Sequence, residues 1–500
     1  MARTGRFRVA SAMRTAYVLF RILPLLLSFR RDIRRWIFFG TGAVRTPAFH
    51  RRRAERLVAT VAHLGPSFVK MAQVFAGRAD LLPEPYLTFV STLADRVPEV
   101  PADAVEREIL AAYGRPVGEL FEEWDRTPVA AASLGQVHRA RYQGREVAVK
   151  VLRPNVEHLV ASDVVAARRI LTWAEWLFPN PHIRGLHAII DEFSRRIDAE
   201  MDFRQEAEFA REIRANFATM REVAIPEIIT ELTRQRVLVM EFMHGTTLDK
   251  LQPLIDAGRV DPKKLVRTVM EVYVQMMMID GLFHADPHPG NILVRDDGTL
   301  ILLDFGLVVR VPRETRLALV QTVFAAIKRD PEAVTDGFMA LGVVTPGTDR
   351  AVILRIVETL LGVAFGKNTV QERIAIVATA HEELLADRVL TQLYDFPVML
   401  PPNLVYFART AALIEGIGVR YDARFNTLEF AAPVAIRLRQ RIFESLGIDV
   451  RPTAPEMLGV LRDTAAKAHA IVWRAGGELV SLAGDLVARL SSGWINAKAS

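Results

Sequence analysis

Residues 284–307 leave the chain little choice of local fold. Two short apolar runs, Ile292–Val294 and residues 300–303, stand on either side of Asp296-Asp297-Gly298. An Asp-Gly pair between apolar runs predicts a tight hairpin, because Gly tolerates the positive φ of the turn. His284-Ala285-Asp286-Pro287-His288-Pro289-Gly290-Asn291 precedes the first run, and Asp304-Phe305-Gly306 follows the second. A hairpin brings its two ends to one edge. The polar residues of the loop are therefore expected beside Asp304.

That arrangement suits phosphoryl transfer. A kinase catalytic loop has the order His, any residue, Asp, four residues, Asn, followed by a strand pair and Asp-Phe-Gly. In such a site Asp286 accepts or orients the proton of the attacking hydroxyl. Asn291 and Asp304 hold Mg²⁺ against the phosphates of ATP, since hard cations take oxygen ligands. The competing reading is a hairpin with two ordinary polar turns. Asp-Phe-Gly alone is weak evidence; loop, hairpin and Asp-Phe-Gly in this order are far more specific.

The chain of 500 residues is long enough for two or three domains, and 50% hydrophobic content supplies a full core. It has no cysteine, which excludes disulfides, cysteine–zinc sites and thiol chemistry and fits a reducing compartment. Net charge is +6, yet residues 1–56 alone carry fourteen Arg against Asp32 and Glu55, or +12. The body is therefore acidic, and a nucleic-acid surface is not expected. Residues 15–29 are mostly apolar but interrupted by Arg21 and Pro24, and arginine pairs and Trp36-Ile37-Phe38-Phe39 follow. The apolar stretch is too short to span a bilayer. It suits either an amphipathic segment on an anionic membrane surface or a helix docked on the protein's own core. A signal peptide is not expected, because no small-residue cleavage site follows.

Further along, residues 53–64 predict a helix, and Gly65-Pro66-Ser67 breaks it and starts another with Ser67 as N-cap. Lys70 and Gln73 share a face of that second helix. A further helix is expected over 105–113. Residues 127–150 predict a mixed lobe, with a small-residue turn at Ala130, Ala131, Ala132 and Ser133 covering the nucleotide and a strand ending in Lys150. A kinase strand lysine meets the nucleotide phosphates and needs a Glu partner. Glu206, in helical residues 155–220, is that partner. Residues 237–245 predict a buried strand and inter-lobe hinge, where the backbone of Glu241 and Met243 bonds adenine. Met276-Met277-Met278 is core packing. Helices are expected over 313–330, 331–342, 350–366, 370–387 and 404–416, and an amphipathic one over 454–495.

With these residues in place, the chain resembles the UbiB/AarF/ADCK family of atypical kinases. The resemblance rests on Lys70-Met71-Ala72-Gln73, the Ala-rich turn, Glu200-Met201-Asp202 with Glu206, His284 to Asn291, and Asp304-Phe305-Gly306. It implies an α+β, two-lobed protein-kinase-like fold with family-specific added helices and a helical C-terminal extension. The expected parts are a basic amphipathic segment (1–56), a helical cap region (57–125), an N-lobe with inserted helices (126–245), a C-lobe (246–345), its helical extension (346–450) and an amphipathic tail (451–500). Lys70 and Gln73 match a helix that caps the nucleotide site, and Glu200 and Asp202 match a pair that the capping lysine contacts. Ala72 stands where the family has Gly. The resemblance implies an ATP- and Mg²⁺-dependent kinase or ATPase, cytoplasmic and peripheral on the inner face of the membrane. It is expected to support isoprenoid quinone or other lipid metabolism, with a lipid or quinone-precursor substrate. The alternative is a nucleotide-regulated lipid-binding scaffold with little phosphotransfer.

Overall fold

The computed structural model describes residues 2–29, 46–76, 86–91, 99–177, 181–285, 289–344, 347–364, 402–421, 425 and 427–448. Asp286, the arginine-rich stretch 30–39, the expected helix 370–387 and the amphipathic tail 454–495 lie outside the described residues. Contacts divide the chain into two compact units, Met1–Leu438 and Arg439–Ser500. In the second, residues 439–448 are described and finish a helix.

Helices come first: α1 (Ala2–Phe29), α2 (Pro47–Leu64), α3 (Pro66–Ala76), α4 (Tyr86–Ser91), α5 (Ala102–Tyr113) and α6 (Val117–Leu120). Thr46 caps α2 by accepting from the Phe49 N–H. Gly65, at φ +106°, ends α2 and lets α3 start at once. Ser67 is not the N-cap of α3. Pro66 occupies the first helical position, where its missing N–H costs nothing, and Ser67 is buried in the first turn facing Asp163.

A four-stranded antiparallel sheet follows, built from β1 (Glu123–Ala131), β2 (Gly135–Tyr142) and β3 (Arg145–Leu152), and completed after β4 (Val223–Ala224) by β5 (Val237–Glu241). Its order is β1-β2-β3-β5. Gln143 and Gly144, both at positive φ, make the two-residue turn between β2 and β3. Val147, Val149 and Val151 alternate onto one face and pack with Val237, Val239 and Ile109 of α5. Between β3 and β4 run α7 (Val156–Leu177), α8 (Pro181–Glu200) and α9 (Phe203–Asn216).

The second lobe contains β6 (Thr246–Thr247), α10 (Gln252–Asp256), α11 (Pro262–Val274) and a π-helical turn, Gln275–Asp280. Met276 and Met278 are buried there, as core packing requires. β7 (Leu282–His284), β8 (Ile292–Val294), β9 (Leu300–Leu302) and β10 (Val308–Arg310) follow. β8 and β9 form the expected hairpin, with Leu293 opposite Ile301 and Gly298 at φ +85° in the turn. The sheet order is β4-β9-β8-β6, and β7 pairs with β10. α12 (Arg313–Lys328), α13 (Pro331–Ala340), α14 (Arg350–Ala364), α15 (Pro402–Tyr421) and α16 (Thr427–Ser445) complete the described chain.

α1 docks on the protein itself along one face. Arg14 Nε donates to Asp163 Oδ1 of α7 at 2.6 Å, and Nη2 donates to Oδ2 at 3.2 Å. The same guanidinium donates to the Leu64 carbonyl at the end of α2. Burial pushes the Asp163 carboxyl up, and Arg14 opposes that shift. Val18 is fully buried on this face. The other face of α1 exposes Met13, Tyr17, Phe20, Leu23 and Leu27. No helix of the described residues is long and apolar enough to cross a membrane.

Removing one partner of a buried ion pair strands the other charge, at a cost of about 3 kcal/mol or more. Arg14→Ala is therefore expected to destabilise the protein by that order in denaturant unfolding. The double variant Arg14→Ala/Asp163→Ala loses less than Arg14→Ala alone, because no charge is left stranded. A larger loss in the double variant would show that Arg14 acts through packing and not through Asp163.

Candidate nucleotide site

Lys150 lies on β3, paired with Leu238 of β5. Its ammonium donates to Glu206 Oε1 at 2.7 Å and Oε2 at 2.9 Å, and lies 3.5 Å from Asp304 Oδ1. The Phe203 ring stands 5.2 Å from the same ammonium. Glu206 is in the first turn of α9, where the helix dipole favours a carboxylate. The Phe305 N–H also donates to Glu206. One carboxylate thus joins β3, α9 and the Asp-Phe-Gly turn.

The charges in this cleft perturb one another. Burial alone would depress Lys150, but Asp304 and Glu206 outweigh it and raise the ammonium pKa. Burial raises Glu206 to about 7, against the pull of Lys150. Desolvation would raise Asp304 as well, yet Lys150, the Gly306 N–H at 2.8 Å and Lys70 draw it down to about 2. Asp304 stays ionised and 37% exposed, able to take a cation. Asn291 closes a 3₁₀ turn just before β8, and its carbonyl accepts from the Leu303 N–H at 3.1 Å. The hairpin therefore holds Asn291 next to the strand end that carries Asp304. The His284 ring meets the Asp304 carbonyl, and the Ala285 N–H donates to the Leu307 carbonyl at 2.9 Å. These bonds fix the start of the loop containing Asp286, which itself lies outside the described residues. Among the described residues no group of three His or acidic side chains could hold a metal unaided. A cation here would draw its remaining ligands from phosphate.

α3 brings Lys70 to Glu200 at 2.9 Å. The Lys70 charge reaches Asp304, and the Glu200 charge reaches Lys150. Ala72 packs against the cluster of Val58, Val69 and Val90, so its methyl group is accommodated. The side chain of Gln73 is outside the described residues. Asp202 does not join Lys70. It caps α9, accepting from the Arg204 N–H at 3.1 Å and pairing with the Arg204 guanidinium at 2.6 Å. Asp202 followed three residues later by Gln205 is a capping-box spacing, so this role was open to a reading of the sequence.

The Ala-rich segment is also rearranged. Ala130 and Ala131 are the last residues of β1, opposite Val137 and Gln136, so they belong to a strand and not to a turn. The turn is Ala132-Ser133-Leu134. The Ala132 N–H donates to the Gly135 carbonyl at 2.8 Å, and Arg153 Nε donates to the Ala132 carbonyl at 2.9 Å. Arg153 fastens the turn to the end of β3, and no sequence signal marked it. At the hinge, the Glu241 N–H donates to the Glu227 carbonyl at 2.8 Å. Glu241 can therefore offer a base only its carbonyl. Among the described residues the Met243 N–H meets no acceptor, while its side chain packs on Leu293 and Ile301.

A strand lysine held by a helix glutamate, facing an Asp-Phe-Gly aspartate below an antiparallel sheet, defines a kinase-like site. The family model for the ABC1 atypical kinase-like domain matches residues 92–337. The chain is 32% identical over 428 residues to the chloroplastic protein Activity of BC1 Complex Kinase 8 of Arabidopsis thaliana, covering 79% of this chain and 55% of that protein. It is 30% identical to the Synechocystis protein sll0005 over 89% of this chain and 63% of that one. It is 33% identical to Synechocystis sll0095 over 76% of this chain and 67% of that one. It thus spans less than two thirds of the first two relatives. The fold is similar to that in the Rv3197–erythromycin complex from Mycobacterium tuberculosis, with TM-score 0.53, 23% identity and coverage of 78% of this chain and 96% of the other. The chain belongs to the ABC1/UbiB/ADCK family of kinase-like proteins.

Glu206 generates a pH prediction. Its folded pKa of about 7 lies above the ordinary 4.5. A raised pKa adds stability at low pH that is lost as pH rises through the folded value. Glu206→Gln mimics the protonated form at every pH. In ligand-free protein the melting temperature of wild type relative to Glu206→Gln should therefore fall between pH 4.5 and about 7. A difference independent of pH would show that Glu206 is ionised throughout.

Proposed function

We propose that this protein binds Mg·ATP in the cleft between the two lobes and acts as an atypical kinase or ATPase at a membrane surface, on a lipid or quinone-precursor substrate. The observation that carries the reading is the trio Lys150, Glu206 and Asp304. Two carboxyl groups face one ammonium, and Asp304 remains ionised with its side chain partly open to the cleft. Such a site fits a divalent cation brought in with a nucleotide. When bound, the cation neutralises charge on the phosphates.

The chain's own residues supply position and proton handling. Lys150, steadied by Glu206, meets the phosphates. Asn291 and Asp304 are the metal ligands. Ala130, Ala131, Ala132 and Ser133 cover the nucleotide from the end of β1 and its turn, with Arg153 holding that turn in place. The Glu241 carbonyl and the Met243 N–H bond the adenine edge. Asp286 orients the attacking hydroxyl or water. Positioning and fixed charges provide most of the catalysis in this chemistry. α3 carries Lys70 to Glu200 beside the cleft, with Gln73 on the same helix; these three residues form the cap, and Asp202 serves α9. A cap here leaves little room for a folded protein substrate, which favours water, a small molecule or a lipid as acceptor.

The test is ATP hydrolysis with Mg²⁺ in the presence of anionic liposomes. Asp286→Asn is expected to lower turnover about 100-fold or more while ATP still binds. Asp304→Asn is expected to lose Mg²⁺-dependent ATP binding itself. ATP binding that needs Asp304, with no turnover by wild type, would replace the enzyme with a nucleotide-regulated lipid-binding scaffold. No ATP binding by wild type would overturn both.

A further inference from the structure

α1 and α2 enclose a second site, away from the kinase-like cleft. It is a cavity of about 120 Å³, with Arg21 of α1 and Arg53 and Arg56 of α2 among apolar lining from Pro24, Leu25 and Phe49. None of the lining side chains is acidic. Arg53 is only 2% exposed and is built into the wall. It donates to the Tyr86 hydroxyl at 2.6 Å and to the Ser28 carbonyl at 3.0 Å. Arg21 and Arg56 are exposed at the mouth and form no ion pair among the described residues. Three guanidinium groups around a small cavity match the charge and donor needs of a phosphate group.

The surroundings of the cavity select the kind of phosphate. Met13, Tyr17, Phe20, Leu23 and Leu27 recur at helical spacing and are exposed, Phe20 at 77%. At about 100° per residue they form one stripe, and Arg21 and Ser28 lie roughly a quarter-turn round the helix from it. The inner face of α1 is held to α7 by Arg14 and Asp163, so the stripe cannot turn inward without breaking that pair. An apolar helix face beside a phosphate-sized basic pocket is the arrangement of a helix lying in a membrane interface. The +12 charge of residues 1–56 points the same way.

We infer that the cavity between α1 and α2 binds the phosphate of an anionic phospholipid in a bilayer, with the exposed stripe of α1 seated among the acyl chains. This deepens the membrane part of the reading above and does not depend on ATP turnover. Arg21 and Arg56 grip the phosphate from the mouth, and Arg53 lends its charge from the wall; the Ser28 and Thr60 hydroxyls donate to the Leu25 and Arg56 carbonyls and leave the phosphate to the guanidinium groups.

The experiment is co-sedimentation of the full chain with vesicles of phosphatidylglycerol and phosphatidylcholine, against phosphatidylcholine alone, with melting curves to verify folding. Wild type should prefer the anionic vesicles. A basic residue near such a surface is worth about 1 kcal/mol, so Arg21→Gln/Arg56→Gln should bind roughly 25-fold more weakly. Arg21→Lys/Arg56→Lys keeps the charge but loses the planar fork, and should also weaken binding. Arg51→Gln/Arg52→Gln removes equal charge outside the cavity and should weaken it less. Phe20→Ser/Leu27→Ser should release the protein from vesicles. If the two Gln pairs weaken binding equally and the Lys pair not at all, attraction is diffuse and the pocket assignment is wrong. If wild type ignores vesicles, both the pocket and the membrane contact proposed above fall. If glycerol 3-phosphate binds as tightly as vesicles and Phe20→Ser/Leu27→Ser changes nothing, the site serves a soluble phosphate. If the stripe instead joins two copies of the chain, seen as a doubled mass in light scattering that Phe20→Ser/Leu27→Ser abolishes, the membrane assignment is overturned.

Discussion

The contact between Lys150 and Glu206 is the constraint on which the rest of the site depends. Both oxygens of the carboxylate take the ammonium, and Glu206 is nearly inaccessible to solvent. A buried charge left alone costs several kcal/mol, so α9 cannot drift from β3 without paying for two exposed mistakes at once. Glu206 also accepts from the Phe305 N–H, which brings in the Asp-Phe-Gly turn. Phe305 is itself buried, with its ring edge-on to His284. The sheet of the first lobe, an inserted helix and the hairpin of the second lobe are thereby referred to one carboxylate. Asp304 is the member of the group left facing outward, and its low pKa follows from the excess of donors aimed at it.

Much of this was legible because it is local or because charge demands a partner. Asp297-Gly298 between apolar runs fixed the hairpin, since few residues other than Gly accept φ +85°. Lys150 at the end of an alternating strand needed a carboxylate, and Glu206, 56 residues later, is the one that meets it. Legibility failed where two local rules competed. For Asp202 the family resemblance points to Lys70, whereas the capping rule claims it for α9. Ala130 and Ala131 are small residues that suit a close turn, yet the β2 ladder extends to them past an irregular register at Pro128. Arg153 could not be found from sequence at all, because its acceptor is a backbone carbonyl 21 residues away.

α1 shows a different limit. Its composition fits a membrane surface and fits docking on a core, and the sequence offered no way to choose. The structure docks one face on the body and leaves the other exposed. The docked face is chosen by Arg14, whose partner Asp163 lies 149 residues on. Nothing near Arg14 in the sequence distinguishes it from the thirteen other arginines of residues 1–56. Only burial does so: Asp163 is the inaccessible acid that α7 presents to α1. Once that pair is set, the helical period decides the rest, placing Val18 inward and Phe20 outward.

The same charge distribution separates two kinds of electrostatics in one chain. In the cleft, Lys70, Lys150, Glu200, Glu206 and Asp304 lie within reach of one another, with Lys150 and Glu206 largely out of water. Such interactions are poorly screened, so salt should leave them nearly intact. The excess positive charge of residues 1–56 is of the opposite character where it is exposed, as at Arg21 and Arg56. Its attraction to an anionic surface falls off within a Debye length of about 8 Å at physiological salt. Long-range attraction can bring that end of the chain to a surface, but it cannot hold it there. Holding requires contacts that survive screening, namely guanidinium groups closed around a phosphate and apolar side chains withdrawn from water. Both kinds of group are found on α1, a quarter-turn apart, and α1 is fixed to the body through a buried ion pair that salt does not reach.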